Sequence, residues 1–275
     1  MKTLGNYKLI FDAECPLCRT YSSTFVKAGM LEKGGIEAYQ KINQTTKDLI
    51  DTDRARNEIA LVNETTGEVH YGLDSIFTVL GNSWPWLKKF FDATGVRFVL
   101  RRLYYFISFN RKIIVPSGNA TDTCVPDVRL DYRWAYIIFC WLITSLILKN
   151  YSFHFFPLIR PSLFYREFLI CGGQILFQGA LISFIDKTKR IDYLGNMMTV
   201  SFAGGLLLIV GIYLLRILEH FSSIFFSPWF YVLWFLGVAL WMLYEHGRRA
   251  ELLGLGWLIS IGWISYRIGV LLLIK

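Results

Sequence analysis

The stretch Phe11-Asp12-Ala13-Glu14-Cys15-Pro16-Leu17-Cys18 decides the fold of the N-terminal part of this chain. The apolar residues 7–12 predict a short strand, and Pro16 fits the first turn of a helix that continues to about Met30. The two cysteines then lie where a strand ends and a helix begins. Unpaired backbone N–H groups stabilise a thiolate there, and a thiol one turn further on can attack a mixed disulfide. This spacing in this context favours thiol–disulfide chemistry.

The segments downstream of this stretch continue the alternation of strand and helix. Two short apolar runs flank a Thr-Thr-Gly turn, which predicts a β-hairpin, and a helix follows the hairpin. This order of elements is typical of a small thioredoxin-like α/β domain. The predicted elements are strands at 36–39, 58–63 and 68–71 and helices at 45–50 and 73–80.

At these residues the chain resembles the DCC family, which is named for an Asp-x-x-Cys-x-x-Cys signature. Gly72-Leu-Asp74 matches the later family motif, and the resemblance covers roughly residues 7–112. It implies a thiol–disulfide oxidoreductase with Cys15 as the attacking thiolate and Cys18 as the resolving thiol. Asp12 would accept or relay a proton. Two departures are Ala13, where the family usually has glycine, and the lack of a proline before Ile59, where thioredoxins place a cis-proline.

Two other uses of the cysteine pair stay open, half of a zinc site and simple packing. Zinc requires four ligands, and the remaining cysteines are poorly placed to supply them. Cys140 and Cys171 fall inside apolar stretches and are expected to pack, Cys124 follows a loop, and His70 is an isolated candidate. We therefore expect no metal and no cofactor. We also expect Cys15 to be the more exposed of the two thiols.

Composition places the rest of the chain in a membrane. The 275 residues are 54% hydrophobic and 18% charged, and residues 1–133 hold 18 of the 29 Lys+Arg and 15 of the 21 Asp+Glu. This asymmetry excludes a wholly soluble protein, a disordered chain and a disulfide-dense secreted module. A spanning helix needs about 20 apolar residues, and five stretches approach or exceed that length. They are 134–148, 168–185, 197–215, 221–244 and 252–274.

The predicted organisation is a DCC-type domain at 1–112, a juxtamembrane linker at 113–133 and a helical transmembrane domain at 134–275. Basic residues concentrate before the first stretch and between alternate stretches, and no secretory signal opens the chain. We therefore expect a bacterial inner-membrane protein with a cytoplasmic N-terminal domain and, after five spans, an external C-terminus. The basic residues just before the membrane stretches are assigned to lipid headgroups rather than to nucleic acid. They are Arg97, Arg101, Arg102, Arg111 and Lys112.

A few polar residues interrupt the apolar stretches. The pairs Glu219-His220 and Glu245-His246 are interpreted as interfacial groups at span ends. Glu167, Gln174 and Gln178 share one helical face, where contacts with neighbouring helices are expected. Arg267 lies inside the last stretch and either has a function or extends toward the headgroups.

The sequence thus predicts a membrane-anchored thiol–disulfide oxidoreductase. Its expected partners are a protein or small-molecule thiol or disulfide, the lipid bilayer and an integral membrane redox partner, and no nucleic acid. The main alternative is a non-enzymatic scaffold or transporter subunit whose N-terminal domain binds a partner. A third hypothesis passes electrons from Cys15 and Cys18 through Cys124 to a quinone, but it needs a second cysteine near Cys124.

Overall fold

The computed structural model describes residues 2–116, 126–158, 165–222 and 228–273. The chain divides into two compact units, Met1–Tyr132 and Arg133–Lys275.

The first unit is built on a four-stranded mixed sheet. Its strands are β1 (Tyr7–Phe11), β2 (Ile36–Ala38), β3 (Ala60–Asn63) and β4 (Val69–Tyr71), in the order β2-β1-β3-β4. Strand β1 runs parallel to β2 and antiparallel to β3, and β3 and β4 form the antiparallel hairpin. This topology, with helices around the sheet, confirms the predicted thioredoxin-like fold class.

Successive residues of β1 point to opposite faces of the sheet and pack into two separate hydrophobic cores. Leu9 packs with Phe25, Leu61 and other apolar side chains on one face. Ile10 packs with Ile50, Val62 and their neighbours on the other face. Leu9 and Ile10 are at most 1% exposed, so both faces of the sheet are covered.

Six helices surround this sheet. They are α1 (Pro16–Lys27), α2 (Gln44–Leu49), α3 (Thr52–Asn57), α4 (Leu73–Ser83), α5 (Pro85–Asp92) and α6 (Thr94–Ile114). The sequence did not predict α3, because its residues Thr-Asp-Arg-Ala-Arg-Asn carry no apolar period. Asp51 is the N-cap residue of α3, and its Oδ1 accepts a hydrogen bond from the backbone N–H of Arg54 at 3.0 Å.

Three basic residues of α6 form ion pairs or hydrogen bonds inside the first unit. Arg97 and Arg101 both form ion pairs with Asp74. Arg111 is only 5% exposed, so the assignment to lipid headgroups is wrong for this residue. The sequence shows that Arg111 is charged, but it does not show the carboxylate and backbone carbonyl groups that the fold places around the guanidinium.

The second unit is helical. Its helices are α7 (Leu130–Ser152), α8 (Arg166–Ile185), α9 (Arg190–Ser222), α10 (Pro228–Leu252) and α11 (Leu258–Leu273). A buried cluster that includes Ile147, Leu208 and Val238 joins α7, α9 and α10.

Four of these helices, rather than the predicted five, are long and apolar enough to cross a membrane within the described part of the chain. The first predicted stretch qualifies because α7 continues to Ser152. The fifth does not, because Gly254 and Gly256 adopt positive φ angles and separate α10 from α11. The resulting α11 has 16 residues, a length of about 24 Å against a hydrocarbon core of about 30 Å.

Candidate functional site

The N-terminus of α1 positions the cysteine pair. Cys15 is the N-cap residue in an extended conformation, and Pro16 occupies the first turn. The backbone N–H of Cys18 donates to Cys15 Sγ at 3.4 Å, and both thiols are free. The strand–turn–helix context predicted for the pair is confirmed, and Cys15 receives the N–H groups that favour a thiolate.

The expected difference in exposure between the two thiols is not seen. Cys15 is 4% exposed and Cys18 is 5% exposed.

Side-chain hydrogen bonds hold the turn before α1 in place. Gln40 Oε1 accepts from the N–H of Ala13 at 3.2 Å, and Asp12 Oδ1 accepts from the N–H of Glu14 at 3.0 Å. Gln40 Nε2 also donates to Asp12 Oδ1 at 2.8 Å. This network orders the turn beside Cys15.

Asp12 and Arg111 form a buried ion pair beneath the same turn. Arg111 Nη2 lies 3.5 Å from Asp12 Oδ2, and both side chains are at most 6% exposed. The guanidinium also donates to the backbone carbonyls of Arg56 at 2.9 Å and Asn57 at 3.0 Å, at the end of α3. A buried charge is tolerated when it is paired and hydrogen-bonded in this way.

These surroundings separate the acidities of the two thiols. The pKa of Cys15 is lowered to about 6, first by the hydrogen bond from the Cys18 side chain, then by the backbone N–H of Cys18 and the charge of Arg111. Burial and the charge of Asp12 oppose this lowering. The pKa of Cys18 is raised, because its thiol donates to Cys15 and is buried. At neutral pH the arrangement therefore holds one thiolate and one thiol.

Three residues of this site were missed by sequence reasoning. Arg111 appeared to belong to a juxtamembrane basic segment, and nothing in the sequence marks Gln40. Tyr21 follows Cys18 by three positions and thus lies on the same side of α1. This spacing in the predicted helix indicates a contact between the two side chains. The Tyr21 hydroxyl is hydrogen-bonded to Cys18, and burial raises the pKa of Tyr21 well above its ordinary value.

Gly72 lies at the end of the hairpin and has a structural reason to be glycine. Its φ is +58°, and a Cβ atom there would lie 2.2 Å from Glu58 Oε2. The N–H of Gly72 donates to the carbonyl of Ile59 at 2.7 Å. The N–H of Ile59, at the position that thioredoxins precede with proline, donates to Tyr104 Oη at 3.2 Å.

The polar residues of the second unit lie partly in its interior. His246 is 2% exposed, and its ring nitrogens lie 3.0 Å from Tyr193 Oη and 2.8 Å from Ser260 Oγ. The interfacial interpretation is therefore wrong for His246. Its neighbour Glu245 forms ion pairs with Arg248 and Arg249.

The expected contacts of the α8 glutamines with neighbouring helices are confirmed. Gln174 Nε2 donates to the carbonyl of Trp263 at 3.1 Å, and Tyr193 Oη donates to Gln178 Oε1 at 2.8 Å. Both glutamines are at most 2% exposed.

Three of the other candidates lie among the described residues. Cys140 and Cys171 are buried within α7 and α8, and Cys124 lies outside the described residues. His70 Nε2 lies 3.3 Å from Glu68. Within the described ranges, no group of three or more His, Cys, Asp or Glu side chains is placed to hold a metal ion.

Comparison with known proteins identifies the same region. Residues 9–115 match the family model described as DCC1-like thiol-disulfide oxidoreductase. This match confirms the resemblance for the N-terminal part of the chain and supports a thiol–disulfide oxidoreductase role. No curated protein and no solved structure matches the chain.

Proposed function

We propose that this chain is a membrane-anchored thiol–disulfide oxidoreductase whose Cys15–Cys18 pair cycles between dithiol and disulfide. One observation carries the proposal: Cys15 caps α1 and accepts the N–H of Cys18, inside a region that matches an oxidoreductase family. Helix capping stabilises the thiolate form that attacks disulfides. The four long apolar helices of the second unit supply the anchor.

The reaction begins with attack by the Cys15 thiolate on one sulfur of a substrate disulfide. The substrate S–S bond breaks, a mixed disulfide forms with Cys15, and the other substrate sulfur leaves as a thiolate that takes up a proton. Cys18 then loses its proton and attacks Cys15 Sγ, which releases the second substrate sulfur as a thiolate. Cys18 supplies one of the two protons that the substrate sulfurs take up, and water supplies the other. The substrate gains two electrons and two protons, and the pair becomes a disulfide. A dithiol donor restores the reduced state by the reverse exchange.

Asp12 and Arg111 have opposite effects on the first step. The Asp12 charge raises the pKa of Cys15 and the Arg111 charge lowers it. We propose that Asp12 accepts or relays the proton that Cys18 gives up, while the Arg111 charge offsets the carboxylate charge near the thiolate. Both side chains are held by further hydrogen bonds, so their positions are fixed before substrate arrives.

The cytoplasmic location of the first unit is part of the proposal. Lys187 and Lys189 lie between α8 and α9, and Arg190 begins α9. Basic loops favour the cytoplasmic side. A reporter inserted after Lys189 should be cytoplasmic, as should one fused to the first unit. A periplasmic signal at both places would move the cysteine pair to an oxidising compartment and reverse the expected direction of electron flow.

The decisive experiment is a redox titration of the full-length protein in lipid nanodiscs, with thiol-specific mass labelling of Cys15 and Cys18. We expect a two-electron transition between dithiol and disulfide at potentials within the cytosolic range. A pair that stays reduced at every potential, with no covalent partner captured by a Cys18→Ser variant, would leave the N-terminal unit as a binding module.

A further inference from the structure

A cavity of about 350 Å³ lies among the five described helices of the second unit. It is partly open to the surroundings, since lining residues such as Leu240 and Leu271 are exposed. Most of its lining is aliphatic or aromatic, with side chains such as Ile170, Leu208 and Phe235. Small-molecule sites are typically apolar cavities of about 300–1,000 Å³ with a few polar groups that orient the ligand. The cavity has the size of a site for a single acyl chain or a ring system.

Two buried polar atoms at this cavity have no hydrogen-bond partner. Thr144 is 2% exposed and Trp263 is 4% exposed, and both residues line the cavity. Neither Thr144 Oγ1 nor Trp263 Nε1 is paired within the described part of the chain. An indole N–H only donates and a hydroxyl can donate. Both atoms are covered by protein, so an acceptor oxygen in the cavity satisfies them once the two side chains turn toward it. Buried polar groups are ordinarily paired, which points to an occupant that supplies such oxygens.

The charged residues of the cavity lie toward one end of the helical bundle. Tyr266 Oη donates to the carbonyl of Ile170 at 3.0 Å, four residues after α8 begins, so Arg267 lies near the start of α8. Arg166 and Glu167 form an ion pair of 3.0 Å there. The Arg267 guanidinium lies 5.9 Å from the centre of the Trp263 ring. Within the described residues no carboxylate lies at ion-pair distance from Arg267, so the lining carries one excess positive charge.

We propose that this cavity binds an amphiphile with an anionic oxygen head group and a single apolar chain. The head group would lie against Arg267, with its oxygens available to the donors of Trp263 and Thr144. The chain would follow the apolar lining between α9 and α10. An unpaired arginine within an apolar helix is costly, and an anionic ligand would offset that cost. This site is independent of the Cys15–Cys18 chemistry, since it lies wholly in the second unit.

The test measures binding to the full-length protein in detergent micelles by native mass spectrometry and by competition with a radiolabelled probe. Oleate is the anionic probe, oleyl alcohol is the neutral probe of matched chain, and decylubiquinone is a neutral carbonyl probe. Arg267→Gln removes the charge, Arg267→Lys retains it, and Ala239→Phe fills the cavity. Arg216→Gln is the matched control, because Arg216 lies in α9 and does not line the cavity.

We expect saturable binding of oleate that Arg267→Gln weakens by at least about tenfold, the change for a lost charge-assisted hydrogen bond. Arg267→Lys should retain most of the affinity, Ala239→Phe should abolish binding, and Arg216→Gln should leave it unchanged. Equal binding of oleate and oleyl alcohol, or equal losses in Arg267→Gln and Arg216→Gln, would overturn the proposal. Preferential binding of decylubiquinone would also overturn it, since a neutral ligand does not need the charge. An unchanged far-UV circular dichroism melting curve and an unchanged elution volume in size-exclusion chromatography would show that each variant remains folded.

Discussion

The protein contains two pairs of cysteines that are almost equally buried but lie in different surroundings. Cys15 and Cys18 are 4% and 5% exposed, and Cys140 and Cys171 are 0% and 3% exposed. Cys15 caps the start of α1 and receives an N–H group. Cys140 and Cys171 lie within the long helices α7 and α8, where the backbone N–H groups are already used. Burial alone therefore does not distinguish the two pairs.

The difference teaches that a position at a helix start, the neighbouring Cys18 thiol and one guanidinium from a distant helix favour the thiolate form of Cys15 in an otherwise closed environment. Arg111 reaches the Cys15 turn from α6 and pairs with Asp12. Reactive cysteines lie in electropositive surroundings, whereas buried cysteines in apolar surroundings are inert. Substitutions of the cysteines, of Arg111 and of Asp12 test this comparison.

Replacing the two site cysteines should have the largest effect. Cys15→Ser should abolish disulfide exchange and form no adduct, because serine supplies no thiolate. Cys18→Ser should still attack but fail to release its partner, so a covalent complex should accumulate and disappear with reductant. Non-reducing electrophoresis and mass spectrometry measure this difference. Identical behaviour of the two variants would contradict the assigned roles.

Removing the Arg111 charge should have the second-largest effect. The alkylation rate of Cys15 in the wild-type protein should rise with pH through an inflection near the pKa of about 6, because only the thiolate reacts. Arg111→Gln should move this inflection upward by about one unit and reduce the thiolate at neutral pH. It should also destabilise the first unit by about 3–5 kcal/mol, since Asp12 is left buried without its partner.

The double variant Asp12→Asn/Arg111→Gln separates these two effects. It removes both charges, so the stability loss should be smaller than in Arg111→Gln alone. Urea unfolding measures this coupling. A double variant as unstable as the sum of the two single variants would show that the ion pair contributes nothing.

Asp12→Asn by itself should have a smaller effect of opposite sign. The carboxylate raises the pKa of Cys15, so its removal should lower the inflection by about half a unit. Turnover should also slow if Asp12 carries the Cys18 proton. The pH dependence of Cys15 alkylation measures the first quantity, and steady-state exchange by the Asp12→Asn protein with both site cysteines present measures the second. A faster exchange rate at every pH would exclude the proton-relay role.

The membrane cysteines should show the smallest effect. Cys140→Ser and Cys171→Ser, alone and together, should change the exchange rate by less than about twofold, and wild-type Cys140 and Cys171 should be alkylated only after denaturation. Loss of exchange in the double variant, with melting temperature and expression unchanged, would show that electrons pass through the second unit.

The sequence by itself determined the parts of this protein that depend on short segments. The apolar run before Cys15, Pro16 after it and the Cys-x-x-Cys spacing predicted a thiol pair at a helix start, because capping and strand alternation are local properties. The Thr-Thr-Gly turn predicted the hairpin for the same reason. Apolar stretches of known length predicted the membrane part, although the glycine break before α11 reduced the long helices from five to four.

Only the tertiary structure decided which distant groups surround the thiols and which polar groups of the helical unit are buried. Arg111, Gln40 and Asp12 come from separate elements and meet at one turn, and His246 meets Tyr193 and Ser260 in the same way. In their own segments Arg111, Gln40, Tyr193 and Ser260 look like ordinary polar residues. Burial and charge pairing depend on contacts between segments far apart in the chain, so no local pattern contains them.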